Sequence, residues 1–354
     1  MKILLIEPFF TGSHKTWAEG FCRNSSHDIE LLTMSGHHWK WRMHGAAITL
    51  ARKFMELEND FDLIIASDML DLSTFQSLTR KKSAQTPFAV YFHENQLSYP
   101  SSGRDSDHRA KRDNHYAFIN LVSALSADHC FFNSEYHLND FLAQLGPFLN
   151  AFPDHNEQNA RMLITEKSSV LYLGMDLKAF DRFTREEESN SNPLILWNHR
   201  WEHDKDPDTF FKALYKLSEN KKAFQLVVLG EQFAETPPIF NEAKNKLSDH
   251  IIHWGQVNDF GEYANWLWKS NIIPVTSRQD FFGGSAVEAI YCNCIPLLPN
   301  KLAFPEHIPE TLHQELLFED SEDLFLKLEN LISGKTEVNR ADLSSWVKKY
   351  DWSI

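Results

Sequence analysis

Twelve apolar runs of strand length alternate with amphipathic segments of helix length along almost the whole chain. In the first half the runs are KILLIE from Lys2, IELLTM from Ile29, DLIIAS from Asp62, FAVYFH from Phe88, HCFFNS from His129 and SVLYLG from Ser169. In the second half they are LILWN from Leu194, FQLVVLG from Phe224, IIHWG from Ile251, IIPVTS from Ile272, IPLLP from Ile295 and LLF from Leu316. Helix-period segments fall near Lys15–Arg23, His44–Glu58, Leu72–Arg80, His108–Ser126 and Glu135–Leu145, then near Pro207–Glu219, Pro238–Leu247, Phe260–Lys269, Ser285–Cys292 and Ser321–Ser333. A strand that is apolar throughout is covered on both faces, and such strands separated by helices build parallel sheets. Two series of this kind in 354 residues predict an α/β chain with two doubly wound, Rossmann-like halves, at roughly 100–200 residues per domain. The acidic, aperiodic run Thr184–Pro193 reads as the linker.

Composition excludes several classes. A net charge of −14 disfavours a general nucleic-acid coat protein, whose affinity rests on neutralising phosphates, yet leaves room for a local basic patch. Cys22, Cys130, Cys292 and Cys294 form no C-x-x-C pair, so they read as reduced, mostly buried thiols of a cytoplasmic protein. No apolar run approaches the ~20 residues that span a membrane, and the amino-terminal run reads as a first strand rather than a signal segment.

In open parallel sheets, ligands bind beyond the carboxyl ends of the strands. Four loops at such ends hold the candidate chemistry. In EPFFTGSHK, Gly12 and Ser13 lead into a helix whose first N–H groups suit an anion; an ordinary strand-to-helix turn looks the same. In YFHENQLSYP, His93, Glu94, Asn95 and Gln96 leave a strand together, and His93 suits a sugar hydroxyl or a structural role. In WNHRWEHDKDP, Arg200 and Lys205 precede a helix opened by Pro207, which suits a diphosphate clamp; Glu202, Asp204 and Asp206 support a solvated charged loop instead. In SRQDFFGGSAVEAIYCN, the Gly283, Gly284 and Ser285 backbone is placed to meet phosphate oxygens, with Phe282 beside it. Asp280 and Glu288 flank that turn, as hydroxyl acceptors on either side of a diphosphate. A sugar nucleotide has this layout of hexose, diphosphate and ribose. The histidines of SGHHWKWRMH match no common zinc spacing. Its Trp39, Lys40, Trp41 and Arg42 suit stacking and phosphate contact.

Together these loops resemble the GT-B retaining glycosyltransferases of family four, in which two Rossmann-like domains face each other across a central cleft. The hallmark acids of that family, separated by seven residues, match Asp280 and Glu288; aspartate stands where glutamate is usual. Its diphosphate cations match Arg200 and Lys205, its first glycine loop matches Gly12, and its sugar-site histidine matches His93. VLYLGMDLKAF resembles the signature at the domain crossover, with Leu173 in place of asparagine. EPFFTGSHK, HHWKWR, YFHENQLSYP, FNSEYHLNDF, FPDH and DFFGGSAVEAIYCNCIPLLP resemble the tRNA-queuosine α-mannosyltransferase family over nearly the whole chain.

That resemblance implies an acceptor-side domain over 1–175, a nucleotide-sugar domain over 176–335, and a final helix over 336–354 that packs back on the first domain. It implies transfer of mannose from GDP-mannose to the cyclopentenediol of queuosine in tRNA, with retention, no metal and no other cofactor. His93, Asp280, Arg200 and Lys205 are the expected catalytic groups. Gly12, Ser13, Phe282, Gly283, Gly284, Ser285 and Glu288, with the same two cations, are expected at the donor. His14, Lys40, Arg42, Glu94, Asn95, Arg109, Lys111 and Arg112 are expected at the acceptor. The expected partners are a sugar nucleotide and queuosine-containing tRNA, with neither a membrane nor an obligate protein partner. Two rival readings remain at this stage: a GT-B enzyme with another sugar nucleotide and a non-tRNA acceptor, and a non-catalytic sugar-nucleotide-binding protein.

Overall fold

The computed structural model describes residues 1–99, 114–184, 192–232 and 236–354. The chain divides into two compact units, Met1–Met175 and Asp176–Trp352. The first holds a six-stranded sheet of β1 (Lys2–Phe10), β2 (Asp28–Ser35), β3 (Leu63–Ser67), β4 (Phe88–Phe92), β5 (His129–Phe132) and β6 (Ser168–Val170), in spatial order β2-β1-β3-β4-β5-β6. The second holds β7 (Leu194–Trp197), β8 (Gln225–Val228), β9 (Ile251–Trp254), β10 (Ile272–Pro274), β11 (Ile295–Pro299) and β12 (Leu317–Phe318), in order β12-β11-β10-β7-β8-β9. Every pairing is parallel.

The central strands β4, β7 and β11 are buried at every position, as their unbroken apolar runs require. Helices start where the sequence supplies caps. The Asp71, Ser134 and Asp259 side chains each accept a backbone N–H of the first turn that follows. Asp206 does the same ahead of Pro207, which occupies the first helical position.

Strand order reverses between β1 and β3 in the first unit, and between β7 and β10 in the second. Connections leave each of these strand pairs toward opposite sides, so a crevice opens at the carboxyl ends. The loops after β1 and β3, and those after β7 and β10, therefore border the two crevices.

The division of the chain precedes the acidic run read as a linker. The 3-10 helix Leu177–Phe183 already belongs to the second unit, where the Trp268 Nε1–H donates to the Phe180 carbonyl at 2.9 Å. Residues 185–191 of that run lie outside the described residues. The helix Arg340–Val347 also belongs to the second unit: Ser344 Oγ donates to the Tyr291 carbonyl at 2.8 Å and Trp346 Nε1 to that of Glu306 at 3.0 Å. Among the described residues, no helix is long and apolar enough to cross a membrane.

Candidate active site

In the first unit, the polar groups gather around two histidines. His14 is the third residue of the helix Gly12–Asn24 and is 7% exposed. Its Nδ1 lies 3.1 Å from Glu7 Oε2, while Glu7 Oε1 accepts the Phe9 N–H at 2.8 Å. Glu7 is thus fully buried with both oxygens engaged. Burial alone would lower the pKa of His14, but the charge and hydrogen bond of Glu7, with Asp68 and Glu94 beyond, raise it to about 9. His14 is therefore an imidazolium at neutral pH.

The His93 ring lies 4.3 Å from that of His14 and edge-on to Trp17 at 4.7 Å. The His93 backbone N–H donates to Asp68 Oδ1 at 2.8 Å. Burial, then the neighbouring His14 cation, hold His93 well below the usual histidine range, so it is neutral. Its Nε2 is buried with no hydrogen-bond partner among the described residues. Glu7, His14 and His93 bring one ligand atom each within 4.8 Å of one another, close enough to share a cation. With His14 already protonated against Glu7, the arrangement is that of an ion pair beside a neutral ring.

The remaining first-unit candidates fall into three groups. Gly12, at φ +49°, and Ser13 open the helix, and its N-cap Thr11 offers no side-chain bond to the free amides. Glu94 accepts from Gln96 Nε2 at 3.0 Å, and Asn95 is fully buried, its Oδ1 taking the N–H groups of Leu97 and Ser98. Lys40 lies over the rings of Trp39 and Tyr116, at 5.6 and 5.8 Å. Arg42 corrects the expectation of a phosphate contact: it is 8% exposed and donates to the Ser35 carbonyl and hydroxyl, tying its helix to β2. Arg109, Lys111 and Arg112 lie outside the described residues.

In the second unit, the loops after β7 and β10 are tied together. The Arg278 N–H donates to the Asp204 carbonyl at 2.7 Å, Arg278 Nη2 meets Asp206 Oδ1 at 2.7 Å, and Thr276 Oγ1 lies 2.9 Å from the Lys205 carbonyl. Lys205 is 8% exposed, and its ammonium contacts Asp280 Oδ2 at 3.0 Å, Asp204 Oδ2 at 3.3 Å and the Gln279 carbonyl at 3.2 Å. Burial lowers its pKa, but Asp280 and Asp204 outweigh that and raise it. Lys205 and Asp280, expected to serve diphosphate and hexose separately, are thus partners of each other. Arg200 is half exposed and pairs with Glu202 at 3.1 Å.

Gly283 caps the helix Gly284–Tyr291 at φ +84°, a conformation side chains resist, and a Cβ there would stand 2.7 Å from the buried Phe304 ring. Glycine is required at this position. Ser285 Oγ is 2.8 Å from His199 Nδ1. Glu288, one turn into the helix, accepts the Tyr263 hydroxyl on Oε2 at 2.6 Å, and Asn198 Nδ2 donates to the Tyr263 oxygen at 3.3 Å. Burial raises Glu288 to about 7, with the Tyr263 bond pulling the other way.

Asn198, His199 and Tyr263, like Glu7 and Asp68, were not singled out in the sequence. Only the position of Asn198 at the end of an apolar run, and of His199 and Asp68 just past one, marked them. Buried polar atoms normally find partners. Here Ser67 Oγ, His93 Nε2 and Asn95 Nδ2 in one unit, and Asn198 Oδ1, His199 Nε2, Ser277 Oγ and Gln279 Nε2 in the other, have none among the described residues. These seven lie at or beyond the carboxyl ends of strands, whereas the Tyr215 hydroxyl, which also has no partner among the described residues, lies on the helix Pro207–Glu219.

Two parallel, doubly wound sheets of six strands, one per unit, give the chain the GT-B fold. Solved structures of this fold align over its full length at low identity. They include Anabaena HepE in complex with UDP (TM-score 0.65, 15% identity, 100% of this chain and 96% of that one) and sucrose-phosphate synthase from Thermosynechococcus elongatus (TM-score 0.67, 14% identity, 100% and 96%). Residues 2–175 match the family described as tRNA-queuosine alpha-mannosyltransferase N-terminal, and residues 180–345 match glycosyl transferases group 1. A Drosophila melanogaster tRNA-queuosine alpha-mannosyltransferase is 34% identical over 339 residues, covering 93% of this chain and 86% of the relative. The chain belongs to the tRNA-queuosine α-mannosyltransferase family, as a glycosyltransferase that acts on queuosine in tRNA.

Proposed function

We propose that the second unit binds GDP-mannose at its switch point and that mannose passes, with retention, to the cyclopentenediol of queuosine. The observation that supports a sugar-nucleotide site is the combination at one helix start. The Gly283, Gly284 and Ser285 N–H groups have no backbone partner among the described residues, and the half-buried Glu288 carboxylate lies one turn further on. Amides at a helix start suit a diphosphate, and a carboxylate at this spacing suits a ribose diol. The UDP bound to the HepE structure is consistent with a nucleotide donor. Retention follows from chemistry: GDP-mannose carries an α linkage, and the family's product is an α-mannoside.

In this reading the bond from the anomeric carbon to the diphosphate oxygen breaks as the acceptor oxygen bonds to the same carbon from the same face. The acceptor proton passes to the departing phosphate oxygen. In the second unit, Arg200, Lys205 and the Gly283–Gly284 amides stabilise the negative charge that develops there. Asp280, in the same unit, orients the hexose; in the first unit, His93 Nε2, without a partner among the described residues, suits a sugar hydroxyl. Lys205 must give up one of its three present contacts to meet the diphosphate. His14, Lys40, Glu94 and Asn95, with Arg109, Lys111 and Arg112, serve the acceptor side. The enzyme needs no metal and works in the cytoplasm, where tRNA is modified.

Mass spectrometry of nucleosides tests the assignment, after incubating queuosine-containing tRNA with the protein and a panel of sugar nucleotides in excess EDTA. A gain of one hexose on queuosine with GDP-mannose alone is expected. Transfer from a uridine donor, or dependence on a divalent ion, would replace the reading.

A further inference from the structure

The donor loop is gripped by a buried histidine that neither the motif nor the family match accounts for. His307 is fully buried on the 3-10 helix Phe304–His307. Its Nε2 contacts the Phe282 carbonyl, and its Nδ1 lies 3.1 Å from the Tyr350 hydroxyl. A carbonyl only accepts, so Nε2 bears the proton; in the neutral ring Nδ1 is then the acceptor for the Tyr350 hydroxyl, which also lies 3.3 Å from the Glu306 carbonyl. Burial lowers the pKa of the ring to about 4, although the Phe282 carbonyl pulls it upward; His307 therefore stays neutral while the enzyme works. The Phe282 ring packs edge-on against both His307 (5.2 Å) and Tyr350 (5.0 Å).

The Phe282–Gly283 peptide is planar and trans, so its C=O and N–H point in opposite directions. Holding the Phe282 carbonyl on His307 therefore aims the Gly283 N–H away from the protein interior that His307 occupies. That N–H has no partner among the described residues. Phe304, on the same short helix as His307, closes over the Gly283 Cα from another side. The whole peptide group is fixed in rotation before any ligand arrives. Tyr350, on the 3-10 helix Lys348–Tyr350, lies beyond residue 345, where the match to the shared glycosyltransferase domain ends.

We infer that His307, held by Tyr350, is a positioning residue that orients the Phe282–Gly283 peptide so that the Gly283 N–H meets the donor diphosphate. The inference rests on the donor site proposed above. Without this grip the peptide can rotate, and an anion loses an amide prepared for it.

The test compares His307→Leu, His307→Gln and Tyr350→Phe in the full chain. It reads the GDP dissociation constant by calorimetry, donor KM, KM for queuosine-tRNA, and Tm. His307→Leu should weaken GDP about tenfold and raise donor KM in step, the size expected for one charge-assisted hydrogen bond. His307→Gln, which keeps an N–H donor, should recover affinity to within about threefold of wild type. Tyr350→Phe should lose about threefold, because the ring loses its second anchor but keeps its bond to Phe282. KM for the tRNA should not move. A purely structural role predicts lower Tm with equal GDP affinity in the leucine and glutamine variants, and that result overturns the inference. If the leucine variant does not fold, Tyr350→Phe decides, and wild-type GDP affinity there overturns it. Lys205→Ala is the control. If wild type binds GDP and Lys205→Ala weakens it while the His307 and Tyr350 variants do not, only the positioning inference fails. If wild type binds none of GDP, UDP and ADP, the donor reading fails and takes the inference with it.

Discussion

Glu7 is fully buried and Glu288 half-buried, and different partners hold the two carboxylates. Glu7 has two hydrogen-bond donors, one of them the His14 imidazolium; Glu288 has one neutral phenol. His14 has a folded pKa of about 9, above its ordinary 6.5. The stability this contributes is fully present below about pH 6.5 and is lost as pH rises through 9. Glu7→Gln should cost about 3 kcal/mol near neutral pH, the scale for breaking a buried pair. Thermal melts of the two proteins should converge as pH climbs from 7 to 10; a constant gap would mean that His14 is neutral throughout. For Glu288 the sign is the same, in a lower pH window. Its folded pKa of about 7 exceeds the ordinary 4.5, so the folded state binds the proton more tightly. Its ionisation removes stability as pH rises from 4.5 to 7. A ribose diol donating to Glu288 favours the ionised form, so GDP affinity should increase from pH 6 to 8 and then level off. Calorimetry across that range checks this, and Glu288→Gln should flatten the profile while weakening binding.

The decisive element is the turn from β10 into the helix Gly284–Tyr291. Its backbone runs through φ +84° at Gly283, with the Phe304 ring where a side chain would begin. Phe304 is fully buried and has nowhere to retreat. Gly283→Ala therefore combines an unfavourable backbone conformation, about 1–2 kcal/mol, with a collision against a packed ring. We expect a lower Tm and donor binding weakened by at least tenfold, read by calorimetry. Alanine at this position with wild-type GDP affinity would mean that the turn does not touch the nucleotide. The companion loop after β7 depends on Asp206, which caps a helix and pairs with Arg278 of the β10 loop. One carboxylate thus holds the two sides of the crevice in register.

For the whole molecule, the difficulty is a polyanionic acceptor and a protein with net charge −14. Binding must draw on local cations and on stacking. The surface at the helix Trp39–Glu56 offers both: Lys40 lies over Trp39 and Tyr116, and Trp41 is 64% exposed. Unpaired bases stack on aromatic side chains, and a lysine beside them meets phosphate. Lys40→Glu should raise the KM for tRNA several-fold and reduce the dependence of log KM on log salt concentration by about one contact. GDP affinity should not change. An unchanged salt slope would move the RNA-binding surface elsewhere.

The sequence by itself determined the architecture. Unbroken apolar runs such as FAVYF and IPLLP can be buried only inside a parallel sheet, and their alternation with helices leaves a doubly wound fold as the outcome. It also marked Gly283, Lys205, Asp280 and Glu288, because local spacing places them at strand ends and at a helix start. The tertiary structure decided what those residues contact. Lys205 and Asp280, 75 residues apart, are joined at 3.0 Å because β7 and β10 are neighbours. Arg42, which reads as a surface cation, turns inward because its helix packs beside β2. Glu7 looked like one more residue of a buried strand, and His307 had no motif around it. Each became legible only when folding brought a partner to it: the first turn of the next helix for Glu7, the far C-terminal segment for His307. Strand and helix periodicity are local properties that a sequence displays directly. A buried charge or a neutral ring is defined by everything folded around it, and that environment exists only after the strands have taken their order in the sheet.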